Sequence, residues 1–85
     1  MDNPNLEYLE RLIDTENAIQ FDGLDSAIVG VSHKGHYIYD CDRMVELFIE
    51  RDGMNIDEAY EWIEYNVIGV NAGKGFIIMY SQEGI

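Results

Sequence analysis

Few residues in this chain have both the type and the spacing to do chemistry, and the acidic ones dominate. Asp42, Glu46 and Glu50 recur every four residues, and Asp57, Glu61 and Glu64 follow at helical spacing with Glu58 alongside. On a helix such residues stack along one face, where like charges cost a few tenths of a kcal/mol per pair. Three uses compete for them. They can be ordinary solvated helix faces, or a carboxylate array that mimics phosphate spacing and meets a basic groove. A paired-carboxylate hydrolase is the third, but it needs a cleft and one raised pKa, which solvated helical acids do not supply. Trp62 lies between Glu61 and Glu64, off the central apolar stripe, and an exposed tryptophan beside charges suits a protein interface.

The other chemistry-bearing groups are weaker. The stretch GVNAGKGF (69–76) has the glycines and lysine of a phosphate loop. A Walker-type loop needs G-x-x-x-x-G-K-[ST] between a strand and a helix. Here Gly69 and Gly73 are one residue too close, Gly75 stands in place of the hydroxyl, and the stretch follows a helix, whose C-terminal end repels phosphate. Gly69 or Gly73 ending a helix and Gly75 in a turn explain the same letters. His33 and His36 form H-x-x-H with no third ligand marked by spacing, and Asp40-x-Asp42 lacks the rest of a calcium loop. Cys41 is the one cysteine, and nothing in the pattern pairs it with either histidine as a nucleophile. No catalytic residue, metal or cofactor is therefore assigned.

The elements that must position the acids follow from periodicity and capping. Asn3-Pro4 reads as a cap with proline at the first helical position, and Leu6, Leu9, Leu12 and Ile13 predict a helix over about 4–17. DSAIVGVSHKGHYIYD (25–40) reads as a hairpin, with Ala27, Val29 and Val31 on one face and Ile28 and Gly30 on the other. Its second strand runs from His36 to Tyr39, and Gly35 supplies positive φ in the loop. Asp40 or Asp42 caps the next helix, whose apolar face is Met44, Val45, Leu47 and Phe48 and which Gly53 ends. Asn55 and Glu58 make a capping box for a further helix with the core stripe Ile56, Ala59, Tyr60, Ile63 and Val67. GFIIMY (75–80) is an apolar strand, and the last five residues are expected to fray. The order α-β-β-α-α-β predicts an α+β fold. We expect one domain over residues 1–85, a three-stranded, mainly antiparallel sheet with helices packed on one face.

Composition narrows the class of partner. Seventeen Asp and Glu against five Lys and Arg give a formal net charge of −12. Such a chain repels nucleic acid and anionic membranes and is drawn to basic surfaces, although acidity also simply keeps a small protein soluble. No apolar run approaches the roughly 20 residues that span a bilayer. MDNPNLEYLERL has no basic region leading into an apolar stretch, so no export signal is expected. One unpaired cysteine favours a reducing, cytoplasmic compartment.

FDGLDSAIVGV, YDCDRMVELFIERDGM and ERDGMNIDEAYEWIEYNVIGVNAG together resemble a family of small acidic proteins encoded by bacteriophages and prophages. That family's pattern runs from a GxDxAIxG strand through an acidic helix, an RDGM turn and an EAxExxExN(V/I)xG helix to an apolar strand. The resemblance covers about residues 21–80 and is most specific from RDGM to NVIG. SHKGHY is shorter than the family's loop, and AGKGFIIMY replaces a GEGTPxF-like ending, so a partner common to the family need not carry over. The resemblance implies a phage origin and action in the host bacterial cytoplasm, with no reaction and no catalytic residues to transfer. By analogy of gene type it implies an inhibitor of host machinery, as CRISPR and restriction inhibitors are. The expected partner is a basic surface on a host protein or ribonucleoprotein, contacted by Glu46, Glu50, Asp57, Glu58, Glu61, Trp62 and Glu64. An assembly role as a homodimer and an enzyme acting on a small nucleotide are the alternatives.

Overall fold

A computed structural model describes residues 6–69 and 75–80. The Asn3-Pro4 cap, Gly73 and the last five residues lie outside them.

Helix α1 spans Leu6–Glu10, not the 4–17 that the apolar spacing predicts. The backbone shows why. The Arg11 and Leu12 N–H groups donate to Tyr8 and Leu9, tightening the turn, and the Asp14 N–H leaves the helix to donate to the Gly35 carbonyl at 2.9 Å. The Asp14 carboxylate then accepts from the Asn17 side chain (2.8 Å) and the Glu16 N–H (3.1 Å), bonds that hold it below the usual carboxylate range. Side-chain competition of this kind favours a turn over a helix. Residues 12–19 cross one end of the sheet instead, and the Ile19 N–H donates to Gly75 O at 2.7 Å. Leu6, Leu9 and Ile13 still pack on the core.

A short 3-10 turn at Asp25–Ala27 leads into β1 (Ile28–Val31), which pairs antiparallel with β2 (Tyr37–Asp40). A register shift between Ile28 and Gly30 is a bulge. It overturns the expected face assignment. Ala27 and Ile28 are both buried while Val29 is exposed, because the extra residue in a bulge breaks strict alternation. β3 (Phe76–Met79) pairs with β2 in parallel, Tyr37 opposite Phe76 and Tyr39 opposite Ile78. The sheet order is β1-β2-β3, so the sheet is mixed, with one antiparallel and one parallel pair. The helical crossover after β2 brings the chain back in the same direction, as a parallel pair requires.

Helix α2 (Cys41–Asp52) starts on Asp40, whose side chain accepts from the Asp42 N–H at 3.0 Å, and stops at Gly53 with φ 71°. Helix α3 (Ile56–Ile63) begins with the full Asn55–Glu58 capping box, 2.8 and 2.9 Å, and continues into a π turn at Glu64–Ile68. Tyr37, Tyr39 and Phe76 from one face of the sheet join Met44, Val45, Phe48, Ala59, Ile63 and Val67 from the helices in a single buried cluster. Gly30, Ile38 and Ile77, in register on the other face, stay outside it. Two members of the expected α3 stripe do not reach the core. Ile56 and Tyr60 are exposed, since Ala59, Ile63 and Val67 already fill the contact with α2 and the sheet.

Two glycines make a paired prediction. Gly35 has φ 84°, and a Cβ there would sit 2.5 Å from the Asp14 nitrogen. Gly53 has φ 71° with open space around it. Gly53→Ala should cost only the left-handed strain, about 1–2 kcal/mol. Gly35→Ala should cost about 3 kcal/mol or more, because it also breaks the bond that ties residues 12–19 to the hairpin. Urea unfolding of both variants checks this, and equal losses would refute it.

Candidate functional site: the outward face of α2 and α3

Glu46 and Glu50 on α2, and Asp57, Glu58, Glu61 and Glu64 from α3 into the π turn, are all exposed. Their positions follow from the wheel. The buried residues of α2 are Cys41, Met44, Val45 and Phe48, and those of α3 are Ala59 and Ile63, which puts Glu46, Glu50, Asp57, Glu61 and Glu64 on the opposite sides. Among the described residues none of these five carboxylates has an ion pair; the cations on α2 are committed elsewhere. Arg43 reaches back to Asp40 at 3.9 Å, and Arg51 pairs with Asp52 at 3.3 Å. Glu58 differs from the rest, since one of its oxygens accepts from the Asn55 N–H in the capping box. Asp42 faces α3 rather than solvent alone, accepting from the Tyr60 hydroxyl at 3.2 Å. That bond pins the two acidic helices side by side and raises the Tyr60 pKa, as burial does to a lesser degree.

Aromatic side chains border the acids. Trp62 is 38% exposed and its ring lies 4.8 Å from that of Phe48. Tyr65, in the π turn, is 77% exposed, and with Glu61, Glu64, Ile68 and Gly69 it lines an open depression. A π turn adds a residue to the helical circuit and re-aims the side chains on it. Here the Gly69 N–H donates to Glu64 O, and a Cβ on Gly69 would come within 2.8 Å of that oxygen. Gly69, the C-cap of this turn, therefore permits the wide circuit at ordinary helical φ (−68°). Gly75, at φ 116° and packed against Asn17 O and Ile19, is the turn residue before β3.

Cys41 is buried, and burial, with Asp42 and Asp40 nearby, pushes its thiol pKa up, which is the opposite of an activated nucleophile. His33 is exposed in the hairpin loop and His36 half-buried. Among the described residues no group of three His, Cys, Asp or Glu side chains is arranged to hold a metal.

One feature escaped the sequence reading. A groove of about 260 Å³ opens where the Phe21–Leu24 turn meets the end of α2, floored by Phe21, Leu24, Phe48, Met54 and Trp62. The signal was there as two X-Asp-Gly-X turns, Phe21-Asp22-Gly23-Leu24 and Arg51-Asp52-Gly53-Met54, each carrying an apolar residue after the glycine. What spacing could not show is that Arg51 joins them, donating to Gly23 O at 2.7 Å while lying over the Phe48 ring at 5.7 Å. No helix is long and apolar enough to cross a membrane among the described residues. No family model matches the chain, and neither the curated proteins nor the solved structures contain a match to it.

Proposed function

We propose that this chain is a non-enzymatic binding protein, a phage-encoded accessory factor that inhibits a host defence or nucleic-acid-handling complex by covering one of its basic surfaces in the bacterial cytoplasm. The observation that carries the reading is the face of α2 and α3, where Glu46, Glu50, Asp57, Glu61 and Glu64 are exposed and without cationic partners among the described residues. Unneutralised acids on a chain of net charge −12 steer it toward positive surfaces that otherwise bind nucleic acid. Trp62 and Tyr65 supply the aromatic contacts that carry binding energy once charge has brought partners together.

An affinity capture from bacterial extract, with the tagged wild type beside Glu61→Lys/Glu64→Lys, tests this. Both glutamates are exposed, so the variant keeps its fold by circular dichroism. The wild type should retain one nucleic-acid-binding complex that the variant loses, by about tenfold or more for two reversed charges at an interface. Capture should also weaken steeply with salt, since the screening length falls from about 10 Å at 0.1 M to about 3 Å at 1 M. An identical set of captured proteins for both forms would remove the charge mechanism. A second reading, self-assembly, is favoured by one observation: among the described residues β3 has a strand on one side only, and edge strands invite pairing. A monomer by light scattering at high concentration would exclude it.

A further inference from the structure

The groove between the Phe21–Leu24 turn and the end of α2 shares Trp62 with the acidic face and is otherwise built from side chains which that reading does not use, and its chemistry identifies what would fill it. We infer that it receives a single apolar side chain, of leucine, methionine or phenylalanine size, from a Lys/Arg-rich segment of the partner. This rests on the reading of the chain as a binder of basic surfaces and specifies the segment it holds.

Three observations carry the inference. The first is size. At about 260 Å³ the groove lies just below the roughly 300–1,000 Å³ of sites for drug-sized ligands, which suits one side chain rather than a cofactor. The second is the lining. Phe48, Met54 and Trp62 with Phe21 and Leu24 form an apolar floor, with methionine and aromatics adapting to an incoming apolar group. The third is charge. Asp22 and Asp52 stand on the groove, and Glu58 lies one turn before Trp62 on α3. The groove's cation, Arg51, is held by Gly23 O and paired with Asp52, which leaves Asp22 as the unbalanced charge of the lining, with Glu58 beyond it. The surroundings of the apolar floor are thus net negative and complement a hydrophobic residue flanked by lysines or arginines, not one flanked by acids.

Trp62 is the only tryptophan and Met54 is one of four methionines, so both groove residues can be followed in the intact protein. The test uses three peptides, KRLKR, KRGKR and SQLSQ, titrated against the full chain. Trp62 fluorescence and the ¹³C-methyl signals of the methionines are read. KRLKR should shift Trp62 emission and move the Met54 methyl, leaving buried Met44 unmoved. KRGKR should bind about tenfold or more weakly, the factor that one buried apolar side chain confers, without moving Met54. SQLSQ should not bind measurably.

Equal binding of KRLKR and KRGKR with Met54 unmoved overturns the groove and leaves the acidic-face reading standing. SQLSQ binding as well as KRLKR, with Met54 moving, overturns the basic partner and counts against that reading too. No response to KRLKR at millimolar concentration overturns the groove, while the affinity capture judges the acidic face separately. A Met54→Lys variant should abolish the KRLKR advantage over KRGKR; the peptide comparison on the wild type stands without it if that variant does not fold.

Discussion

Phe76→Ala should lower the free energy of unfolding by about 3–5 kcal/mol. A domain of 85 residues has roughly 4–13 kcal/mol in total, so the loss removes a large share of the stability and unfolds the variant in water only where the wild type sits at the low end of that range. The size of the effect comes from where the ring sits. Phe76 is 1% exposed, stacked edge-on against Phe21 at 4.9 Å and facing Tyr39 at 6.4 Å. It also opens the strand that returns from the helices and pairs in parallel with β2. Removing it leaves a cavity at the junction of the sheet, the Phe21 turn and the core. Ile77→Ala, one residue on and pointing to the face outside the buried cluster, should cost distinctly less, about 1 kcal/mol. Urea unfolding followed by circular dichroism measures both. If Phe76→Ala lost no more than Ile77→Ala, β3 would not belong to the cooperative core.

The parts of this fold that were legible in the sequence are those decided within four residues. Asp40 and Gly53 bracket α2 because a side-chain oxygen and a left-handed glycine satisfy groups a few atoms away, and Asn55 with Glu58 does the same for α3. The loop glycine at 35 has the positive φ its place required. What escaped depends on chain segments meeting. The helix expected over 4–17 stops at Glu10 because Asp14 finds Gly35, a contact no local pattern records. The bulge after Ile28 is visible only once β2 supplies a register. Ile56 and Tyr60 match the period of the α3 stripe but fall at the flank of the contact. The acidic face was readable because spacing fixes which way helical side chains point, whereas the groove needed Arg51 and Gly23, held together by one hydrogen bond across the fold.

Raising the pH from 10 to 12 should destabilise the wild type and spare a Tyr39→Phe variant much of that loss. Tyr39 is fully buried, and burial above all pushes its phenol up to about 12 from an ordinary 10.0, with smaller increments from Asp25 and Tyr37. Because the folded-state value is the higher one, the contribution is complete below pH 10, where both states hold the proton. As pH rises through the window the unfolded chain ionises first, so stability falls, and the loss is complete above about 12. A gap of this width corresponds to about 2–3 kcal/mol. The buried Tyr37 and Cys41, also raised by burial, add a background common to wild type and variant, which the difference between them removes. At neutral pH the order reverses. The Tyr39 oxygen accepts from the Phe21 N–H at 2.9 Å, so Tyr39→Phe orphans that donor and costs about 1–3 kcal/mol. The neighbouring Tyr37 hydroxyl is buried without a partner among the described residues, so Tyr37→Phe should be neutral or slightly stabilising. Urea unfolding of the three proteins at pH 7, 10 and 11.5 separates these terms. Parallel losses in wild type and Tyr39→Phe would mean that the Tyr39 proton is not what the alkaline transition reads. A Tyr37→Phe as damaging as Tyr39→Phe would mean that the bond to Phe21 is not what sets these two tyrosines apart.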